Sequence, residues 1–427
     1  MRLNLIRPPR LPLPITAATT AALLLLPAAL LLAFPRRSAL GLERLLPSAA
    51  LLQSFPVLPG SPPPELWTQR LGRDAALRLW PSQRHLWWQF WGAHGDAGAF
   101  LALRAPAQQP LPANSLRVDD LLVVAPDPLA RQLLQQQLRV RRRAPRGLAL
   151  RCVQQLRSGQ AVHWSAGAMA ELLGPLAPLA QDLEEGCLQL SSQGTVLQWR
   201  GEADASEGSL ADPPPALAAS ALPGLPADQW LELRGRQLDL LLRGLLSSPV
   251  LRQSLGQTYG LGPGPLRLLQ ATPFVLRLQP LPAGPYRAGL QLQLEVGQSR
   301  AVLDDWLTDL SDALRDQGLS AASSAAGLTS WSREDGTSLG GWRWLPGRSQ
   351  LVLFLGPVPR AIPATPPLAD AAWRLRLRPQ AMVQAGLLPP QLPPVVRRAQ
   401  RLELQGRPVG SRSGERQSAL VGELDLR

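Results

Sequence analysis

The 427-residue chain contains no lysine; its strongly basic side chains are all arginine. A nucleotide-binding phosphate loop needs a lysine to reach the terminal phosphates, so that class of site is excluded. Asparagine (Asn4, Asn114) and isoleucine (Ile6, Ile15, Ile362) are nearly absent as well. Loss of Lys, Asn and Ile beside abundant Arg, Pro, Ala and Gly is the mark of a GC-rich genome. The net charge of +13 therefore reflects codon usage as much as function. No nucleic-acid reading motif accompanies it, and nucleic acid is not an expected partner.

Groups for catalysis are equally scarce. The three histidines, His85, His94 and His163, stand in no paired metal-ligand spacing. His94-Gly95-Asp96 reads as a turn. No G-x-S-x-G elbow is present, and GLGPGPLR (260–267) reads as a loop. Asp304, Asp305, Asp309 and Asp312 fall on the solvated side of an amphipathic helix. No catalytic, cofactor-binding or metal-binding residue is expected, and no cofactor.

Two cysteines are present, Cys152 and Cys187. Their separation leaves two readings open, one disulfide or two buried thiols.

What the sequence does hold is an uncharged run, LPLPITAATTAALLLLPAALLLAF (11–34). At 1.5 Å per residue a helix of this length spans a bilayer core of about 30 Å. Arg2, Arg7 and Arg10 precede it, which favours a cytoplasmic amino terminus. A cleaved signal peptide is the competing reading, but the run is long and no small-x-small site follows it closely. The expectation is a single-pass protein that contacts membrane lipid through residues 11–34. Its carboxy-terminal part is then periplasmic or thylakoid-lumenal. A Pro-rich stalk is expected over 35–64, holding the body off the bilayer.

The Pro/Ala-rich stretch 206–226 reads as a linker between a first α+β unit (65–205) and a second (227–427). The two look alike. AVHW (161–164), AMAELLGPLAPL and then CLQL and VLQWRGEAD find counterparts in LRLR (375–378), AMVQAGLLPPQL, RLELQGRPV and SALVGELDL. DLLVVAPDP (120–128) matches QLVLFLGPVP (350–359) in the same way. GLQLQLEV (289–296) alternates as a half-buried strand does. A helix follows, with Val302, Leu303, Trp306, Leu307, Leu310 and Leu314 on one face, Ser299 as N-cap and Gly318 as stop. The expected fold is α+β: a transmembrane helix, then a duplicated ectodomain of antiparallel sheets with helices on one face.

Two surface candidates stand out. HLWWQFWG (85–92) puts Trp87, Trp88 and Trp91 within five residues. ELWTQRLGRDAALRLW before it has helical spacing, while the aromatic run fits either a short helix or a strand with both faces apolar. The rings are expected in a core, with contact to bilayer or partner as the competing roles. LRVRRRAPR (138–146), with Arg139, Arg141, Arg142 and Arg143, is the densest basic run. It reads as the solvated end of the helix PLARQLLQQQL, or as a patch for lipid headgroups or an acidic partner.

The anchor, RLGRDAALRLW…WWQFWG (70–92), LPADQWLELRGRQLDLLLRGLL (225–246) and GLQLQLEV…WLTDL…LVLFLG together resemble a cyanobacterial family of single-pass, exported membrane proteins of unknown function. The resemblance implies location and a duplicated α+β ectodomain, and no catalytic residues. The expected function is non-enzymatic: a tethered ectodomain that binds a protein or envelope component. The competing function is a hydrolase or glycan-processing enzyme with its site between the halves, in a groove lined by Trp342, Trp344 or Trp88.

Overall fold

The computed structural model describes residues 37–426, apart from short gaps and the stretches 93–97, 107–110, 169–184, 205–224, 360–367, 389–393 and 410–416. Within it, antiparallel pairing joins eighteen strands into one sheet. The first half is built outward from β1 (Ala49–Pro56), which pairs with β2 (Leu86–Gly92) on one side. Beyond β2 lie β3 (Phe100–Arg104), then β5 (Leu121–Val124), with β4 (Ser115–Val118) at the edge. On its other side β1 pairs with β6 (Ala161–Trp164), followed by β7 (Gly186–Gln193) and β8 (Val196–Asp204).

The second half takes the same order about β9 (Leu231–Gly235). On one side lie β10 (Phe274–Pro280), β11 (Ala288–Glu295), β15 (Gln350–Leu355) and β14 (Ser338–Trp344). β13 (Leu328–Ser332) and β12 (Ser320–Ser324) extend that edge. On the other side lie β16 (Trp373–Leu377), β17 (Arg401–Val409) and β18 (Gln417–Asp425). β8 and β18 pair with each other from Val196–Asp425 to Asp204–Gln417, so the sheet crosses from one half to the other without a break.

Strand alternation sends side chains to opposite faces. In the first half both faces are covered by helices. Leu52, Trp88 and Phe90 pack with α1 (Leu42–Leu45), α4 (Pro128–Leu138) and α5 (Gly147–Ser158). On the opposite face Trp87, Leu101 and Leu103 pack with Trp67 of α2 (Glu65–Leu71) and Ala76 of α3 (Arg73–Leu79). The helix expected across 65–80 is broken at Gly72, which adopts φ +78°, a conformation glycine takes without steric cost. α4 begins where its sequence says it should. Asp127 accepts from the Ala130 amide at 2.8 Å, and Pro128, with no N–H to satisfy, occupies the first turn.

In the second half one face carries the core. Leu231, Leu233, Phe274, Leu294 and Leu351 pack with Leu269 of α7 (Pro263–Ala271) and with Leu303, Trp306 and Leu307 of α8 (Arg300–Asp316). α6 (Pro249–Tyr259) precedes α7. The opposite face carries buried polar residues instead: Glu232, Arg234, Arg277, Gln291, Gln293 and Arg376.

Four expectations are corrected. Helices cover both faces of the first half, not one. The stalk expected over 35–64 contains α1 and the central strand β1, because Ala49–Pro56 has enough apolar residues to fill two cores although prolines flank it. GLGPGPLR is a loop only as far as Gly262; Pro263 opens α7. Val302 is 45 % exposed and lies off the buried face of α8, whereas Ser299 does stand at the N-cap position, though its side chain makes no capping hydrogen bond. Residues 11–34 and nearly all of the linker 206–226 lie outside the described residues. Among the described residues no helix is long and apolar enough to cross a membrane.

Candidate functional site

Helix α4 and strand β4 border an open cleft of about 530 Å³, lined by Arg44, Arg117, Arg131 and Arg139 with Ser115, Gln135 and leucines 111, 116 and 138. That volume lies within the roughly 300–1,000 Å³ range of small-molecule sites. At 100° per residue, Arg131, Gln135 and Leu138 share one flank of α4. Arg139 closes the carboxy-terminal end of the helix, where unsatisfied carbonyls favour a cation. Arg44 approaches from α1: its Nη2 donates to the Leu138 carbonyl at 2.8 Å and its Nη1 lies 3.5 Å from Asp119. Arg117 on β4 donates to the carbonyls of Ala105 and Pro106 at 3.0 and 2.8 Å. Among the described residues no carboxylate pairs with Arg131 or Arg139. Four arginines line the cleft, with Arg44 beside Asp119, an arrangement suited to an anion with a small apolar part.

The basic run read from the sequence contributes Arg139 to this cleft. Arg142 and Arg143 are exposed and lie along the entering chain: the Ala39 amide donates to Arg142 O at 3.2 Å, Ser38 bridges Arg143, and the Ala144 amide donates to Arg37 O at 2.9 Å. Arg141 lies outside the described residues. Arg44 and Arg117 escaped sequence reading because they belong to separate elements that only the fold brings together.

The tryptophans are not a surface. Trp87 is 5 % exposed and Trp88 1 % exposed, on opposite faces of β2. Trp87 stacks on Phe55 at 4.5 Å and meets Trp67 edge-on at 6.1 Å. Trp88 donates its indole N–H to the Leu156 carbonyl at 2.9 Å. Contact with lipid or a partner is therefore corrected for both residues: each ring is consumed by a different core. Trp91, nearer the strand end, is half-buried.

Cys152 of α5 and Cys187 of β7 form a disulfide. His163 is buried and lies 3.2 Å from Glu185; His85 and His94 lie outside the described residues. Trp342 and Trp344 are buried in the core of the second half, and with Trp88 also buried none of the three lines a groove between the halves. Among the described residues no group of His, Cys, Asp and Glu could hold a metal ion.

A second charged cluster is internal. Glu232 accepts from Arg234 at 2.6 and 2.9 Å, from Arg277 at 3.2 Å and from Arg376. Burial pushes the Glu232 carboxyl up, but hydrogen bonds from Arg234 and Arg376 and their charges outweigh it and hold the group at about 2. Burial also pushes Arg277 down, against the pull of Glu232. Arg277 is fully enclosed, so this cluster acts as a structural tie across β16, β9 and β10.

No family model and no curated protein matches the chain. Among solved structures it is similar to crystal form III of TP0453, at 11% identity over 49% of this chain and 96% of that one, with a TM-score of 0.27. A likeness that low carries no argument about function.

Proposed function

We propose that this chain is an exported, membrane-tethered protein whose duplicated α+β ectodomain binds a protein or envelope component and carries out no catalysis. The Cys152–Cys187 disulfide carries the reading. Disulfides persist in oxidising compartments outside the cytosol, and the chain commits both of its cysteines to this one. The uncharged run 11–34 supplies the tether, with its amino terminus cytoplasmic and the remainder periplasmic or thylakoid-lumenal. Mirrored strand order about the β8–β18 seam, with Gly-Glu-x-Asp in both seam strands (201–204 and 422–425), supports descent from one duplicated unit. The resemblance to the cyanobacterial exported family implies the same location and a duplicated α+β ectodomain.

The test is thiol trapping combined with protease access on cells making the full chain. Tethered export requires membrane-bound protein, no thiol available for alkylation before reduction, and digestion from the outer side of the membrane. Free thiols on a protease-resistant cytosolic protein would sink the reading. Amino-terminal sequencing of the mature protein separates an anchor from a cleaved signal.

A further inference from the structure

We propose that the arginine-lined cleft between α4 and β4 takes the phosphate of an anionic phospholipid headgroup, seating the ectodomain directly on the bilayer that residues 11–34 enter. This rests on the tethered reading above. Three observations carry it: how the chain enters the domain, the charge of the cleft, and the mix of its lining.

The chain enters beside the cleft. Arg37 O already accepts a hydrogen bond from the Ala144 amide, and Ser38 already bridges Arg143. Position 37 is three steps along the chain from the end of the apolar run at 34, and at most about 10 Å can be spanned in that distance. On the tethered reading so short a lead would hold Arg142 and Arg143 near the headgroups, and Arg139 is three residues from Arg142. A body tied to the bilayer on so short a lead has this side turned to the lipid.

Charge then selects the headgroup. Arg131 and Arg139 are exposed and pair with no carboxylate among the described residues. Guanidinium groups bind phosphate with paired hydrogen bonds, and such contacts strengthen beside a low-dielectric layer. The lining matches an amphiphile better than a free ion. Leu111, Leu116 and Leu138 supply apolar surface beside the arginines, and Leu111 is 55 % exposed. On the other flank of α4, Leu129 and Leu133 stand 65 % and 43 % exposed, one helical turn apart.

The test uses the full chain in nanodiscs of phosphatidylcholine alone or mixed with phosphatidylglycerol, read by hydrogen exchange over 111–117 and 128–140. Lipid co-purifying with the protein is identified by mass spectrometry. We expect slower exchange in the anionic discs and a preference for phosphatidylglycerol of roughly tenfold or more. Arg131→Gln with Arg139→Gln should remove the extra protection over 111–117 and 128–140 in the anionic discs and weaken the preference for phosphatidylglycerol, the remainder coming from the arginines left in place. Both side chains are exposed, and the one fold role between them is the charge of Arg139 at the end of α4, so the disulfide should be retained and the thermal transition lowered only slightly. Equal exchange in the two discs would overturn the proposal. So would glycerol 1-phosphate added to phosphatidylcholine discs reproducing the protection, since the cleft would then be a site for a free anion. Failure of the tether itself looks different: the chain would elute apart from discs of either composition.

Discussion

Arg376 and Glu232 face each other across β16 and β9, joined by a charged hydrogen bond inside the sheet. At the matching place in the first half, His163 of β6 faces Leu52 of β1. The two halves share strand order yet fill this position with opposite chemistry. Loop length supplies the reason. Between β5 and β6 the chain has residues 125–160, enough for α4 and α5, which lay an apolar cover over Leu52. Between β15 and β16 it has only residues 356–372, too short for helices of 11 and 12 residues. Without those helices the face cannot be sealed by the same apolar packing. The second half instead carries a carboxylate shared by three arginines.

Glu232→Gln should be among the most damaging single changes. It removes the carboxylate that Arg234, Arg277 and Arg376 share, and breaking a buried ion pair in this way costs about 3–5 kcal/mol. Urea unfolding of variant and parent at neutral pH measures the loss.

The same group sets an acid limit. Glu232 is held at about 2 in the folded protein, against an ordinary value of 4.5. Its folded-state value is depressed, so its contribution is complete above pH 4.5 and is lost as pH falls toward 2. The gap in urea midpoint between parent and Glu232→Gln should be constant from neutral pH down to 4.5 and then close. A gap that stays constant down to pH 3 would mean that Glu232 is not the ionised partner.

Much of the strand layout was legible in the sequence. β6, β7, β8, β16, β17 and β18 fall on the segments whose repetition was visible, because a two-residue period survives in them. β1 was not legible, since it carries apolar residues on both faces and so shows no polar alternation, and prolines flank it. The cleft was legible only at Arg139. Arg44 and Arg117 lie 73 residues apart in sequence, and no local pattern reports a meeting of α1 and β4.

Trp88→Ala should cost about 3–5 kcal/mol, the usual range for emptying a large aromatic site in a core. Trp88→Phe should cost less but still register, because the Leu156 carbonyl loses its 2.9 Å donor. Trp91→Phe, at a half-buried position, should stay within about 1 kcal/mol. Thermal unfolding ranks the three. A water-soluble quencher should lose little accessible signal when Trp87 and Trp88 are replaced, with or without vesicles.

Reduction should destabilise the first half. The Cys152–Cys187 bridge closes a 35-residue separation between α5 and β7, and loop-closure entropy for such a span corresponds to about 4 kcal/mol. Cys152→Ser with Cys187→Ser should lower the melting temperature as much as a reductant does. The reductant should then leave the double variant unchanged.

Gly201 and Gly422 are the sharpest test of the relation between the halves. They occupy the same place in Gly-Glu-x-Asp on β8 and β18, the strands that form the seam. A Cβ at Gly201 would run into the carbonyl oxygen of Cys187 on β7. One at Gly422 would run into that of Glu403 on β17 and into the Trp199 indole. Backbone on a neighbouring strand cannot rotate away as a side chain can, so each strand pair would have to part. Alanine at either position should therefore cost at least the about 1–3 kcal/mol typical of overpacking. If the seam unites the halves into one cooperative body, either variant should lower a single unfolding transition seen by every probe. Two separated transitions, with only one of them moved by each variant, would show that the halves unfold independently despite the shared sheet.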